Sequence, residues 1–372
     1  MWGPLMEAII SIFRAVHDPR DVNSRHPIGS MLFISLAATL CGAKSSVDIA
    51  DFGEANEAML AEIVDLPHGV PSHDCFSRLF RLLDPGELAT ALARFARALR
   101  AGLGLGAPAG VVAIDGKSLR RGYERGRAFM PPLMVSVWDA ETRLSIAALR
   151  AEGGDEVGAT LAVLGSLVLK GCIVTADALH CHPRMAEAVC ATGAHYALAL
   201  KGNHGPLHRA AVDAFAKADA ADKCAVHEHR DSGHDRHERR RVSVIPCPPG
   251  TPPFPGLAAF ARIEAERQAG SGRTEAATRY AVLSKRLAPR RVLEVTRAHW
   301  SVENDLHWQL DVVFNEDDAR TRKNYAPQNL AVIRRMALDI LRAHPKDRSI
   351  ARKMKLANWS REFFFELFAH MR

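Results

Sequence analysis

Two apolar runs that do not alternate, VVAI before Asp115 and IVTA before Asp177, constrain this chain more than any other feature. A strand with one wet face alternates apolar and polar residues. A strand that is apolar throughout is covered on both faces, as central strands of α/β sheets are. HYALALKGN, from His195, reads as a third such strand. Between these runs lie helical patterns: GDEVGATLAVLGSLVL, with Asp155 near its start, and PRMAEAVCATG, with Pro183 in its first turn and Gly193 at its end. PPLMVSVWD and RLSIAALR read as a hairpin around residues 140–142. The order predicts an α/β core built on a mixed sheet.

The flanks read differently. Residues 1–100 look helical: Ser45 and Ser72 stand where N-caps belong, and IGSMLFISLAATLCGA after Pro27 is apolar nearly all round, the mark of a buried helix. The Gly-rich stretch 101–110 reads as a linker to a core spanning 111–345, and 346–372 as a basic C-terminal tail helix. Residues 222–285 depart from the strand–helix rhythm. HERRRVSVIP alternates, and two further strands flank Gly270–Gly272, so an antiparallel β insertion is expected there.

With 372 residues, 48% of them hydrophobic, the chain can build a sizeable core. Its formal charge is +7, and from Asp318 onward thirteen Lys/Arg face five Asp/Glu. A basic excess gathered at one end suits a localised polyanion contact. The seven cysteines are dispersed, with no C-x-x-C pair, which fits a reduced cytoplasmic protein. The run Met31–Ala43 is too short to span a bilayer, and no membrane partner is expected.

The chemistry gathers on carboxylates. A lone Asp at a strand end usually caps a turn. Glu303 alone, on an amphipathic stretch with Val302, Leu306, Leu310 and Val313 on one stripe, reads as a solvated carboxylate of a core helix. Together, Asp115, Asp177 and Glu303 offer three hard oxygen donors, which suit Mg²⁺ or Mn²⁺ rather than zinc. The acidic run 316–318 is followed by Arg320, Arg322 and Lys323, which places base beside acid next to the same helix. The histidines near 180 and 227–237 lack zinc-ligand spacing.

The strings AIDGKSLRRG, VTADALHCH, YALALKGNH, HDRHERR, RAHWSVENDLHWQLDVVFNEDDARTRK and QNLAVIRRMALDIL, in that order, resemble the DDE transposases of bacterial insertion sequences. The nearest likeness is to the ISAs-type branch, which includes the H-repeat-associated proteins linked to Rhs elements. GVPSHDCFSRLFRLLDP and the helical segment before it resemble the domain associated with that family, so the likeness covers about residues 6–345. It implies a ribonuclease H-like catalytic core with a β insertion, preceded by a helical N-terminal domain. It also implies Mg²⁺-dependent cutting and joining of double-stranded DNA, at element terminal inverted repeats and at a target, by a homodimer or larger synaptic assembly in the nucleoid.

Carried over by position, Asp115, Asp177 and Glu303 form the metal-binding triad. Lys117 and Arg120 match a GK-x-x-R string and would hold phosphates; Lys201 and Asn203 match a K-G-N turn; Arg297, Asn304, His307 and Trp308 match the motif around the Glu. The chain departs from the pattern at His182 and His204, where Gln is common, and at Glu152–Asp155. The wider superfamily's Tyr–Arg–Glu–Lys signature is not met, since His299 and Leu310 occupy its outer positions. Two rival readings stay open at this point: a transposase-derived DNA-binding protein without catalysis, and a metal-dependent nuclease that cuts without joining.

Overall fold

A computed structural model describes residues 3–123, 131–233, 236–269 and 274–369. The sheet begins with β1 (Val111–Ser118), β2 (Leu133–Asp139), β3 (Leu144–Ala151), β4 (Ile173–Ala176) and β5 (His195–Leu200). β2 pairs antiparallel with β1 and β3, while β4 lies parallel to β1 and β5. Four more strands follow: β6 (Ala225–Gly233), β7 (Arg236–Pro246), β8 (Ala259–Ala269) and β9 (Thr274–Leu283). They form an antiparallel meander whose last strand pairs with β5. Among the described residues this gives one mixed nine-stranded sheet in the order β3-β2-β1-β4-β5-β9-β8-β7-β6. The expected α/β class, mixed sheet and insertion are all present. The turn at 270–272 lies outside the described residues.

The helices are α1 (Pro4–Arg14), α2 (Ile28–Leu40), α3 (Ser46–Ala55), α4 (Glu57–Ala61), α5 (His73–Leu82), α6 (Pro85–Gly102), α7 (Glu156–Leu164), α8 (Pro183–Ala191) and α9 (Gly205–Ala220). After the insertion come α10 (Pro289–His299), α11 (Trp308–Val312), α12 (Ala326–Ala343), α13 (Ile350–Trp359) and α14 (Arg361–Ala369). Ser45 caps α3 in a reciprocal capping box with Asp48. Ser72 holds the N-cap position of α5 but makes no capping bond; its hydroxyl turns to Cys75 Sγ.

The sheet explains its own sequence. On β1, Val112 and Ile114 pack into a core with Val163, Met185 and Phe215 of α7, α8 and α9. Ala113, between them, faces the opposite core, with α2, α12 and the N-terminal helices. Both faces are covered, so the strand has no wet side and no alternation.

That second core crosses the expected boundary at 101–110. The helices before residue 100, α12, and Phe364 and Phe368 of α14 belong to one hydrophobic cluster with Met134, Trp138 and Leu144 of β2 and β3. Helix α2 is buried on every side, so it needs cover all round and takes it from α1, α3, α12 and α13. The stretch 101–110 is strapped rather than loose. Arg100 donates to Asp139 Oδ2 at 2.7 Å, a pair almost wholly buried, and to Gly106 O. The segment expected as a single tail helix is two helices, with Phe363, Phe364, Leu367 and Phe368 buried. No helix among the described residues is long and apolar enough to cross a membrane.

Candidate active site

Asp115 lies inside β1, opposite Ser136 of β2, and the strand continues three residues past it. Asp177 follows β4 and caps a 3₁₀ turn over Ala178–His180, its Oδ1 accepting from Leu179 N at 2.9 Å. Glu303 sits on a π-helical stretch, Val302–His307, between α10 and α11. π-turns inside helices are uncommon and cluster at functional positions. The three carboxylates line one cleft of 320 Å³ between α10 and the strands β4, β5, β8 and β9. Its deeper wall is apolar, with Ile263, Leu283, Val292 and Val295.

Several contacts aim Glu303. Val302, Leu306 and Leu310 are fully buried, and the stripe read from sequence is the packed face; Val313 is only half-buried. Trp138 Nε1 donates to Ser301 Oγ at 3.0 Å, and Thr175 Oγ1 meets His299 Nδ1 at 3.0 Å. The helix is thereby tied to β2 on one side and to β4, two residues before Asp177, on the other. Trp300 and Trp308, on either side of Glu303, are 39% and 52% exposed.

The electrostatics fit a cation site. Burial first, then the charges of Glu303, Glu156 and Asp177, push the Asp115 carboxyl up to about 7. His307 Nδ1 lies 3.4 Å from Asp115 Oδ2, and burial, with Arg335 and Lys117 nearby, holds that imidazole down at about 3. His307 is therefore neutral and offers no charge to balance the carboxylates. As the side chains stand, no three His, Cys, Asp or Glu of the described residues converge closely enough to hold a metal ion. The donor set nonetheless has the right chemistry: hard oxygens whose charges act on one another at Asp115.

The predicted phosphate contacts divide. Lys201 is exposed at the rim of the cleft, and Asn304 and Arg320 are exposed. Lys117 is not placed for DNA: it is 7% exposed and bonds Asp311 at 2.7 Å and Asp317 at 2.8 Å. Arg120, largely exposed, reaches Asp317 at 3.2 Å. Asn203 donates to Ala178 O at 2.7 Å and so braces the turn after Asp177. Arg297 holds Asp231 at 3.2 Å on β6. Arg322 donates to Arg121 O, and Lys323 is exposed. In the insertion, Arg239 is paired with Glu228 and Glu266, and Arg240 with Glu238, so much of that basic run is neutralised internally.

Sequence reading missed Glu156 and the acidic partners of Lys117. Asp311 was within reach, since Glu303, His307 and Asp311 recur every four residues on one helix face. Glu156 gave no distinctive signal, because an acid in the first turn of a helix is ordinary.

Comparison with known proteins gives a consistent result. Residues 106–340 match the model described as Transposase DDE domain, and residues 10–96 the one described as DDE_Tnp_1-associated. "H repeat-associated putative transposase YhhI" of Escherichia coli (strain K12) is 30% identical over 360 residues, covering 92% of this chain and 93% of that protein. YbfL of the same strain matches to the same extent. A solved piggyBac transposase synaptic complex with hairpin DNA aligns at TM-score 0.47 and 13% identity, over 99% of this chain and 80% of that one. That last likeness is too low to carry fold or function.

Proposed function

The chain belongs to the DDE transposase family, and from that premise we propose that, on a ribonuclease H-like core, it cuts the phosphodiester backbone at element ends and joins the freed end to target DNA. The observation that carries the reading is that Asp115, Asp177 and Glu303, from two central strands and a distant helix, all line one cleft.

Asp115, Asp177 and Glu303 would hold Mg²⁺, or Mn²⁺ in its place. So held, the cation would supply Lewis-acid chemistry, acidifying the attacking hydroxyl and steadying the leaving oxygen. The chain's own residues do the remaining work. Asp115 is fixed in the sheet, the exposed Asp177 caps the 3₁₀ turn after β4, and Glu303 is carried on a helix tied to β2 and β4. Lys201 at the cleft rim is the best-placed phosphate contact, with Arg320 and Lys323 exposed on the segment after Glu303. No covalent protein–DNA link is required. We assign the DNA partner as the double-stranded element end and target, held by two or more copies of the chain.

The test uses the full chain, Mg²⁺ and labelled DNA bearing the flanking inverted repeats. Cleavage followed by joined product, abolished in Asp177→Ala, is the expected result. Joining that persists in Asp177→Ala sinks the mechanism. Cleavage without joining favours a nuclease, and binding without cleavage favours a protein retained for DNA binding alone.

A further inference from the structure

Glu156 opens α7 directly after its cap residue, Asp155. Its carboxylate reaches two places that matter to the site. One is the backbone of Gly116, the residue after Asp115: the carboxylate lies over it, so that a Cβ there would stand 2.5 Å from Glu156 Oε1 and would push the side chain aside. The other is His180, three residues after Asp177, whose Nε2 lies 3.1 Å from the same oxygen. His180 is 1% exposed, and its Nδ1 has no hydrogen-bond partner among the described residues. Its only such bond there is to Glu156. The tautomer with Nε2–H makes this contact a hydrogen bond donated to the carboxylate.

The turn Ala178–His180 is short and could otherwise pivot about Asp177. Asn203 braces it from one side through Ala178 O, and the Glu156–His180 contact holds its far end. One carboxylate thus touches the strand that carries Asp115 and the turn capped by Asp177.

We propose that Glu156, acting through His180, is a positioning residue that fixes the spacing of Asp115 and Asp177 for cation binding. The proposal rests on the triad reading given above. Partners of this kind, one step removed from a metal, typically change its affinity 10- to 100-fold.

The experiment titrates Mn²⁺ into the full chain by calorimetry, without DNA, and measures cleavage kinetics separately. Glu156→Ala is expected to weaken Mn²⁺ binding by about 10-fold or more and to lower kcat, with KM for DNA unchanged. Glu156→Gln keeps the shape and the acceptor oxygen for His180, so it should restore both. His180→Ala should match Glu156→Ala, and the double variant should be no worse than either alone. The metal-free melting temperature of Glu156→Ala, a substitution at a helix start, checks that the fold is intact. Wild-type Mn²⁺ affinity in Glu156→Ala overturns the proposal. So does a Glu156→Gln variant as impaired as Glu156→Ala, since that assigns the effect to charge rather than to position. Asp115→Asn separates this from failure of the site itself: if it too binds Mn²⁺ as wild type does, the triad reading falls.

Discussion

Thr175 Oγ1 and His299 Nδ1 meet at 3.0 Å, joining the strand that ends just before Asp177 to the helix that leads into Glu303. Burial holds the His299 imidazole below its ordinary value, so this is a contact between neutral groups. Thr175→Val keeps the side chain's volume and removes the hydroxyl, leaving the ring nitrogen of the half-buried His299 unpaired. Such a loss costs about 1–3 kcal/mol, measurable by denaturant unfolding. Misplacement of a catalytic group by about 1 Å can cost 100-fold in rate. Thr175→Val should therefore lower single-turnover cleavage well beyond what its stability loss explains. Unchanged cleavage would mean that this contact does not aim Glu303.

Lys117 and Lys201 should separate cleanly. Lys117 is buried between Asp311 and Asp317, so Lys117→Met takes the cation from between two partly buried carboxylates and leaves Asp317 only the exposed Arg120. Breaking such a pair is expected to cost about 3 kcal/mol. Its effect on DNA binding should follow only from that loss. Lys201→Ala, at an exposed position, should leave the melting temperature alone. It should weaken DNA binding and reduce the slope of log K against log salt by about 1. Binding isotherms at several salt concentrations, beside melting curves, distinguish the two.

The difference between those lysines marks where the sequence was readable. VVAID and IVTAD were legible because two covered faces leave a run with no alternation, and β1 and β4 are such strands. The stripe on the Glu303 helix was legible because Val302, Leu306 and Leu310 keep helical spacing even where the backbone is π-wound. The π-stretch itself was not, because one wider turn barely disturbs a pattern of threes and fours. The ion pairs of Lys117 were not legible because a motif shows a lysine beside an Asp but not the carboxylates, Asp311 and Asp317, that a distant segment folds against it. A boundary at 101–110 and a basic tail helix after 345 were expected because a Gly-rich stretch reads as a linker and the C-terminal end carries the basic excess. The all-round burial of α12, which joins both ends of the chain to the sheet, cannot be seen from any one segment.

That shared core predicts that the DDE segment does not stand alone. Asn329 of α12 is fully buried and donates to Phe80 O at 2.9 Å and Leu83 O at 2.7 Å, satisfying carbonyls at the end of α5. Asn329→Ala removes both bonds and should cost about 2 kcal/mol. Deleting residues 1–100 exposes the apolar face of α12 and the Met134–Trp138–Leu144 side of the sheet. The truncated chain should be insoluble or should bind a hydrophobic dye strongly. A soluble, cooperatively melting fragment would show that the two parts fold independently.

The crowding at Asp115 sets a pH dependence with a definite sign. Its carboxyl is pushed up to about 7, against 3.8 for the ordinary group, mainly by burial and then by Glu303, Glu156 and Asp177. A raised folded value means that the native state holds the proton more tightly than the unfolded chain does. The stabilisation is complete below about pH 4 and is lost as pH rises to about 7, amounting to at most about 4 kcal/mol. Asp339, buried and also raised to about 7, acts in the same direction. His307, lowered to about 3, acts in the opposite one: its contribution is present above about pH 6.5 and is lost as pH falls toward 3. The whole-protein profile mixes these, so the quantity to measure is the difference between Asp115→Asn and wild type. Asn carries no charge at any pH, and the variant should gain stability relative to wild type as pH rises from 4 to 7. Added Mg²⁺ should close that gap at pH 7, because it favours the ionised carboxylate. A difference that stays flat across this range, with or without Mg²⁺, would mean that Asp115 is not crowded by its neighbours in solution.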